Sequence, residues 1–206
     1  MKLWYFIEKG GIFMYPILLC SILSLAIFLE KLWVLRKKRI APKSFVKSIY
    51  SLIKEGKIDE AKAVCENSEN LLSKIMLSLL QNTGKPEETL KNIAEDAGRR
   101  GFQDLERFLE GMATIASVST LLGLLGTISG MIKIFSVISY QQVVDPPSLA
   151  GGISEALYTT AAGLTVAIPT IVGYKFLTGK ISRLSQNLEV MVEDFIKLLR
   201  NAGKEV

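Results

Sequence analysis

The chain has 206 residues, 49% hydrophobic and 22% charged, with a net charge of +5 and a mean hydropathy of +0.32. A positive hydropathy at that charge content requires apolar residues gathered into runs, which argues against a soluble enzyme. With no histidine, and with Cys20 and Cys65 in unlike settings, the chain offers no HExxH zinc site, histidine-based triad, metal cluster or disulfide framework. Its basic residues flank apolar runs, a pattern of membrane orientation and not of nucleic-acid binding.

Three windows stay free of charge for about 20 residues, the length a helix needs to cross roughly 30 Å of hydrocarbon. The first runs from Gly10 to Leu29, preceded by an aromatic-rich segment (Trp4, Tyr5, Phe6) and followed by Arg36-Lys37-Lys38-Arg39. Four consecutive cations mark the cytoplasmic side, so the amino terminus is expected outside. A signal peptide is the rival reading, but the segment lacks the usual cationic start and a small-x-small cleavage site before the RKKR run.

Residues 36–110 then read as a cytoplasmic helical region. Lys43–Glu55 and Asp59–Glu66 alternate apolar and charged positions at helical spacing, with Gly56 as a stop between them. Asn70–Leu80 is a third helix, and Pro86 with Glu87 and Glu88 suits the start of another. Gly98 and Gly101 weaken that helix without forcing a break, so one long helix is expected to run from Pro86 into the second span.

The second apolar window runs from Gly111 to Ile132 within a span over 111–138. Residues 139–155 form an outer loop with a rigid turn at Asp145-Pro146-Pro147, and the third span covers 156–174. Lys175, Lys180 and Arg183 follow, again inside. In the carboxyl-terminal segment 175–206, Leu177, Ile181, Leu184, Leu188, Met191, Phe195 and Leu198 make a heptad-like stripe that suits packing within the chain or between subunits. Pro16 and Pro169 are expected to bend their helices. The fold class is all-α membrane protein, with three transmembrane helices, two of them extended into the cytoplasm, and a small cytoplasmic helical region.

Spans two and three are not ordinary anchors. Ala116, Thr120, Gly123, Thr127 and Gly130 share one face of the second; Ala156, Thr160, Gly163 and Ala167 share one of the third. Small residues let helix backbones approach closely, which explains the glycines, Gly126 included, without any further function. Thr127, Thr160 and Glu155 need more. The two threonines lie about 16–18 Å from the outer loop at 1.5 Å per residue, so their hydroxyls would share one level near the bilayer centre. Repeated around a ring, they would make a polar belt; bonding to a local helix carbonyl is the alternative use. Glu155, at the outer end of its span, needs water or a partner, whereas Lys133 is explained by snorkelling to the outer interface. GLLGTISG lacks the lysine of a phosphate-binding loop and no nucleophile has a base nearby, so an enzyme is not expected.

At these residues the sequence resembles the ExbB/TolQ/MotA proton-channel family. The resemblance is carried by Leu121-Leu122-Gly123-Leu124-Leu125-Gly126-Thr127, Gly130-Met131-Ile132, Ile153 to Leu164 and Ala167-Ile168-Pro169. One span ahead of the cytoplasmic segment fits the ExbB/TolQ branch better than the MotA flagellar stator branch, which stays as an alternative beside a passive scaffold. The resemblance implies a multi-pass subunit of the bacterial inner membrane, with periplasmic amino and cytoplasmic carboxyl termini, assembled as a homopentameric ring. The ring would enclose a dimer of a single-span ExbD/TolR-like partner whose aspartate carries protons, powering work on the cell envelope without a cofactor. It carries the family's functional positions onto Thr127, Thr160 and Glu155. Tyr158-Thr159 stands where many members have smaller apolar residues.

Overall fold

The structure is a computed structural model that describes residues 10–35, 40–140 and 146–202. The RKKR run, the aromatic-rich amino terminus and Asp145 lie outside the described residues. Among those described, the helices are α1 (Met14–Val34), α2 (Lys43–Lys54), α3 (Ile58–Glu66), α4 (Leu71–Leu80), α5 (Glu87–Glu106), α6 (Leu109–Tyr140) and α7 (Pro146–Ala202). Three helical stretches are long and apolar enough to cross a membrane; they contain the second and third windows read from the sequence and the first from Met14 onward. The protein is an all-α membrane protein.

Two compact units share the chain, one from the described parts of residues 1–30 and 108–176, the other from those of 31–107 and 177–206. The first is the membrane unit. The 21 residues of α1 extend about 31 Å at 1.5 Å per residue, enough to cross the hydrocarbon. Pro16 falls in the first turn of α1, where a missing N–H costs nothing, so it opens the helix and does not bend it. Pro146 and Pro147 likewise begin α7 in place of the expected rigid turn, and residues 146–155 are helical. Pro169 does lie inside its helix.

The expected continuous helix from Pro86 into the membrane is interrupted. Arg107 leaves helical geometry with ψ 133°, and Phe108 has φ +71°, a left-handed conformation that costs a non-glycine residue roughly 1–2 kcal/mol. Neither residue type signals a break, which is why the sequence pattern passes over it.

In the second unit each short helix buries one face. Phe45, Ile49 and Ile53 line α2, which stops at Gly56 with φ +76°, as a left-handed C-terminal residue should. The α4 amino end is capped by Asn70, whose Oδ1 accepts from Ser73 N at 2.8 Å. Its apolar face is buried through Leu72, Ile75, Met76, Leu79 and Leu80. The glycines of α5 have a packing reason: a Cβ at Gly101 would overlap Leu71, and one at Gly98 would touch Ile75. The carboxyl-terminal stripe is buried within its own unit at Leu177, Ile181, Leu184, Leu188 and Phe195. In the last turns it passes through Val192, Ile196 and Leu199 instead of Met191 and Leu198. Tyr50 fastens that stripe to α2. Its ring lies 6.1 Å from that of Phe195 and its hydroxyl donates to Met191 O at 3.1 Å.

Cys65 is buried on α3, at 2% exposure, and burial, aided by the charge of Glu66, pushes its thiol up to about 11. The neutral thiol is therefore favoured by folding. Its contribution to stability is present below the unfolded thiol's ordinary range and is lost as pH rises toward 11. In a Cys20→Ala background, thiol labelling of the folded protein at pH 8 should run about a hundredfold slower than labelling of the denatured chain. Equal rates in the two states would show that Cys65 is accessible.

Candidate functional site

The membrane unit is organised by a seam of small residues between α6 and the first part of α7. The buried face of α6 runs through Ala116, Ser119, Gly123, Gly126 and Gly130, and that of α7 through Ala156, Thr159, Gly163 and Ala167. Where the helices meet, a Cβ on Gly123 would stand 3.2 Å from Thr160 Cα and 3.4 Å from Gly163 Cα. One on Gly126 would overlap Thr159, and one on Gly130 would lie 2.7 Å from Ala156 Cβ. Backbones this close exclude any side chain, the packing that small residues allow between membrane helices.

This seam is rotated from the one read in the sequence. Thr120 is exposed and its hydroxyl donates to Ala116 O at 3.1 Å, so it is not part of the contact. Thr127 and Thr160 are half-buried on the flank, while Ser119 and Thr159 occupy the centre, at 0% and 1% exposure. Among the described residues, the Ser119 hydroxyl has no hydrogen-bond partner. The periodicity admits Thr159 and Ser119 as readily as their neighbours.

The flank position brings the two expected threonines together. Thr127 Oγ1 and Thr160 Oγ1 are 3.4 Å apart. Each has its proton committed elsewhere, Thr127 to Leu124 O at 2.6 Å and Thr160 across the seam to Gly123 O at 2.8 Å. A hydroxyl carries one donor and two acceptor lone pairs. With both protons engaged, each oxygen keeps acceptor capacity for a water or another proton donor, and their separation is long for a hydroxyl hydrogen bond. The local carbonyl bond expected as the alternative use is made by Thr127, whereas the Thr160 bond crosses to the neighbouring helix.

Glu155 stands about 7.5 Å along α7 from Thr160, at 1.5 Å per residue. Its Oε1 is 2.9 Å from Lys133 Nζ of α6. Lys133 thus ends on Glu155, a specific partner that snorkelling alone does not supply. On the other side lies Gly11, φ +68°, where a Cβ would overlap the Glu155 carboxylate. The preceding Gly10 carbonyl accepts from the Thr159 hydroxyl at 2.8 Å, and Thr159 also lies 2.9 Å from Glu155 O. Sequence reasoning missed Thr159, Lys133 as a partner and the Gly10-Gly11 turn; only that glycine pair just ahead of the first apolar helix hints at it.

Further along α7, Pro169 cannot donate to the carbonyl four residues earlier. The next residue, Thr170, lies 2.7 Å from Ser24 of α1 through a buried hydroxyl pair. Ser24, Phe28, Met112, Thr165, Pro169 and Gly173 line a cavity of about 620 Å³ here. Among the described residues no group of three His, Cys, Asp or Glu is placed to hold a metal.

Comparison with known proteins agrees with the fold and the motifs. Residues 67–190 match the model of the MotA/TolQ/ExbB proton channel family. Over 185 residues the chain is 30% identical to the ExbB-like 1 biopolymer transport protein of Synechocystis sp., covering 88% of this chain and 71% of that one. It is 32% identical to the Tol-Pal system protein TolQ of Haemophilus influenzae, over 57% of this chain and 53% of TolQ. The structure of C. jejuni MotAB shares the fold, with a TM-score of 0.67 at 16% identity, over 95% of this chain and 80% of that one. The chain belongs to the MotA/TolQ/ExbB proton channel family, in its ExbB/TolQ branch. It is a multi-pass membrane protein.

The seam makes a direct prediction. Gly163→Ala would bring a methyl against the Gly123 backbone, whereas nothing lies within 4 Å of a Cβ at Gly151 or Gly179. Gly163→Ala should therefore destabilise the detergent-purified protein by about 1–3 kcal/mol, as overpacking does, with Gly179→Ala neutral or slightly stabilising. Thermal unfolding of both variants checks this.

Proposed function

We propose that the chain is the ring-forming subunit of a proton-driven motor complex, conducting beside Thr127 and Thr160 and working with a single-span partner that supplies the missing acid. The observation that carries this reading is the convergence of the two hydroxyls, 3.4 Å apart at mid-span, with the Glu155 carboxylate on the outer side. Threonine can hold water or accept a hydrogen bond but cannot store a proton at neutral pH. Between Gly111 and Ser154 the sequence of the second span contains Lys133 but no Asp or Glu before the outer loop's Asp145, and the third span, 156–174, contains none. A titrating carboxylate at the depth of the threonines must come from another chain.

Assembly as a ring, a pentamer by family resemblance, would use part of the wide apolar surface left on α1 and α6. Leu19, Ile22, Leu25 and Leu29 are exposed on α1, and Leu121, Leu124, Ile128 and Ile132 on α6. Such faces meet lipid or a neighbouring helix equally well, and the ring reading assigns part of them to subunit contacts. The charge flanks support an orientation with periplasmic amino terminus and cytoplasmic carboxyl terminus, and the family supports the inner membrane. One proton crossing about 100 mV releases roughly 2.3 kcal/mol, enough to bias a stepwise rearrangement of a ring about its core and so to do work on the cell envelope.

A passive scaffold is favoured by one specific contact, the Thr160 bond to Gly123 O, which packs helices whether or not ions move. The two readings separate on hydroxyl chemistry. Thr127→Val and Thr160→Val should assemble normally yet lose energised proton flux by about a hundredfold, with Thr160→Ser retaining most of it, as expected if the hydroxyl oxygen is what the path uses. Flux is read from pyranine-loaded proteoliposomes of the native complex under an imposed potassium potential. Full flux in both valine variants ends the channel reading and leaves the scaffold.

A further inference from the structure

We propose that Lys133 and Gly11 are positioning residues for Glu155: Lys133 is a tethered counter-cation that holds the carboxylate at the outer end of the ion path, and Gly11 is the backstop against which it rests. This rests on the reading of Glu155 as part of that path. Three observations converge on the one carboxylate. Lys133 is the single charged residue between Gly111 and Ile138, and its ammonium is bound to Glu155 Oε1 at 2.9 Å. Gly11 adopts a left-handed φ of +68°, and any side chain there would collide with the same carboxylate oxygen. Thr159, buried at 1% exposure, donates to Gly10 O at 2.8 Å and so ties the glycine turn to α7 one helical turn from Glu155.

The arrangement has a chemical consequence. A carboxylate at the edge of hydrocarbon is costly unless it meets water or a partner. The lysine supplies that partner from within the chain, and the pair carries no net charge, so the mouth neither repels nor traps an arriving cation. A cation that reaches Glu155 must displace an ammonium on a flexible four-carbon stem, a competitor that stays at the site and returns when the cation moves on. The backstop matters because Glu155 has rotamer freedom of its own. Gly11 leaves the carboxylate the space that a side chain there would take, and Lys133 holds it from α6.

The test uses the native complex in proteoliposomes, with proton flux and thermal midpoint measured on each variant. Lys133→Met should lower flux by about tenfold, as expected when a membrane carboxylate loses its partner, while Lys133→Arg keeps flux near the parent. Gly11→Ala should lower flux with Lys133 intact. The exchange of Lys133→Glu with Glu155→Lys should recover the thermal midpoint lost in Lys133→Glu alone, yet not the flux, because the acid then sits on the wrong helix. Parental flux in Lys133→Met with flux abolished in Glu155→Gln overturns the positioning role and spares Glu155. Parental flux in Glu155→Gln overturns the ion-path reading itself. Equal impairment in Lys133→Met and Lys133→Arg, or an exchange that recovers no stability, shows that the contact is packing and not charge, and overturns the proposal. Parental flux in Gly11→Ala removes the backstop from it.

Discussion

The polar contacts between α6 and α7 depend on the closeness of two backbones. At Gly123 and Gly163 a Cβ would stand within 3.4 Å of the opposite helix, and that approach sets the reach of every side chain along the seam. The Thr160 hydroxyl finds the Gly123 carbonyl at 2.8 Å because no side chain stands between them. Separation of the helices by the thickness of one methyl group would break that bond and carry the two threonine oxygens out of range of a shared water. In lipid, association has no hydrophobic term to draw on, so van der Waals contact along a glycine-rich strip is what holds the geometry.

The polar side chains then divide into two kinds. Some have their hydrogen-bonding capacity met inside the unit: Thr159 with Gly10 and its own helix, Thr170 with Ser24, Thr165 with Ala161 O at 2.7 Å. These cost little in hydrocarbon and act as fasteners. Thr127 and Thr160 have spent their protons on carbonyls while keeping acceptor capacity toward each other. What sets them apart from the fasteners is that the two hydroxyls adjoin across the seam, 3.4 Å apart. That adjacency, and not mere polarity, is what the proposed ion path rests on.

Much of this was legible in the sequence. Charge-free windows of membrane length, the small faces of the second and third spans, and the level shared by Thr127 and Thr160 all follow from helical geometry and composition. The rotation of the seam by one residue toward Ser119, Gly126 and Thr159 was not, because helical spacing places adjacent residues about 100° apart and both choices leave small residues in contact. The break at Arg107-Phe108 carries no glycine or proline to announce it. Lys133 and Glu155 are 22 residues apart, and their meeting depends on the register of α6 against α7, which no single-helix pattern contains.

That register is over-determined by contacts far apart along the helices. Gly130 meets Ala156 while Gly123 meets Gly163, so α6 and α7 run antiparallel. Gly10 meets Thr159 while Ser24 meets Thr170, so α1 runs parallel to α7. Down-up-down is the order a three-span chain must follow, and here polar contacts enforce it independently of flanking charge. A slip of α1 by one helical turn, about 5.4 Å, would unmake the Ser24–Thr170 pair and lift Gly11 from Glu155 in the same movement. The hydroxyl pair near Pro169 and the glycine turn at the other end of α1 therefore act as two ends of one ruler. It is this ruler, set near the proline where α7 lacks a backbone bond, that keeps the first helix seated at the mouth of the site.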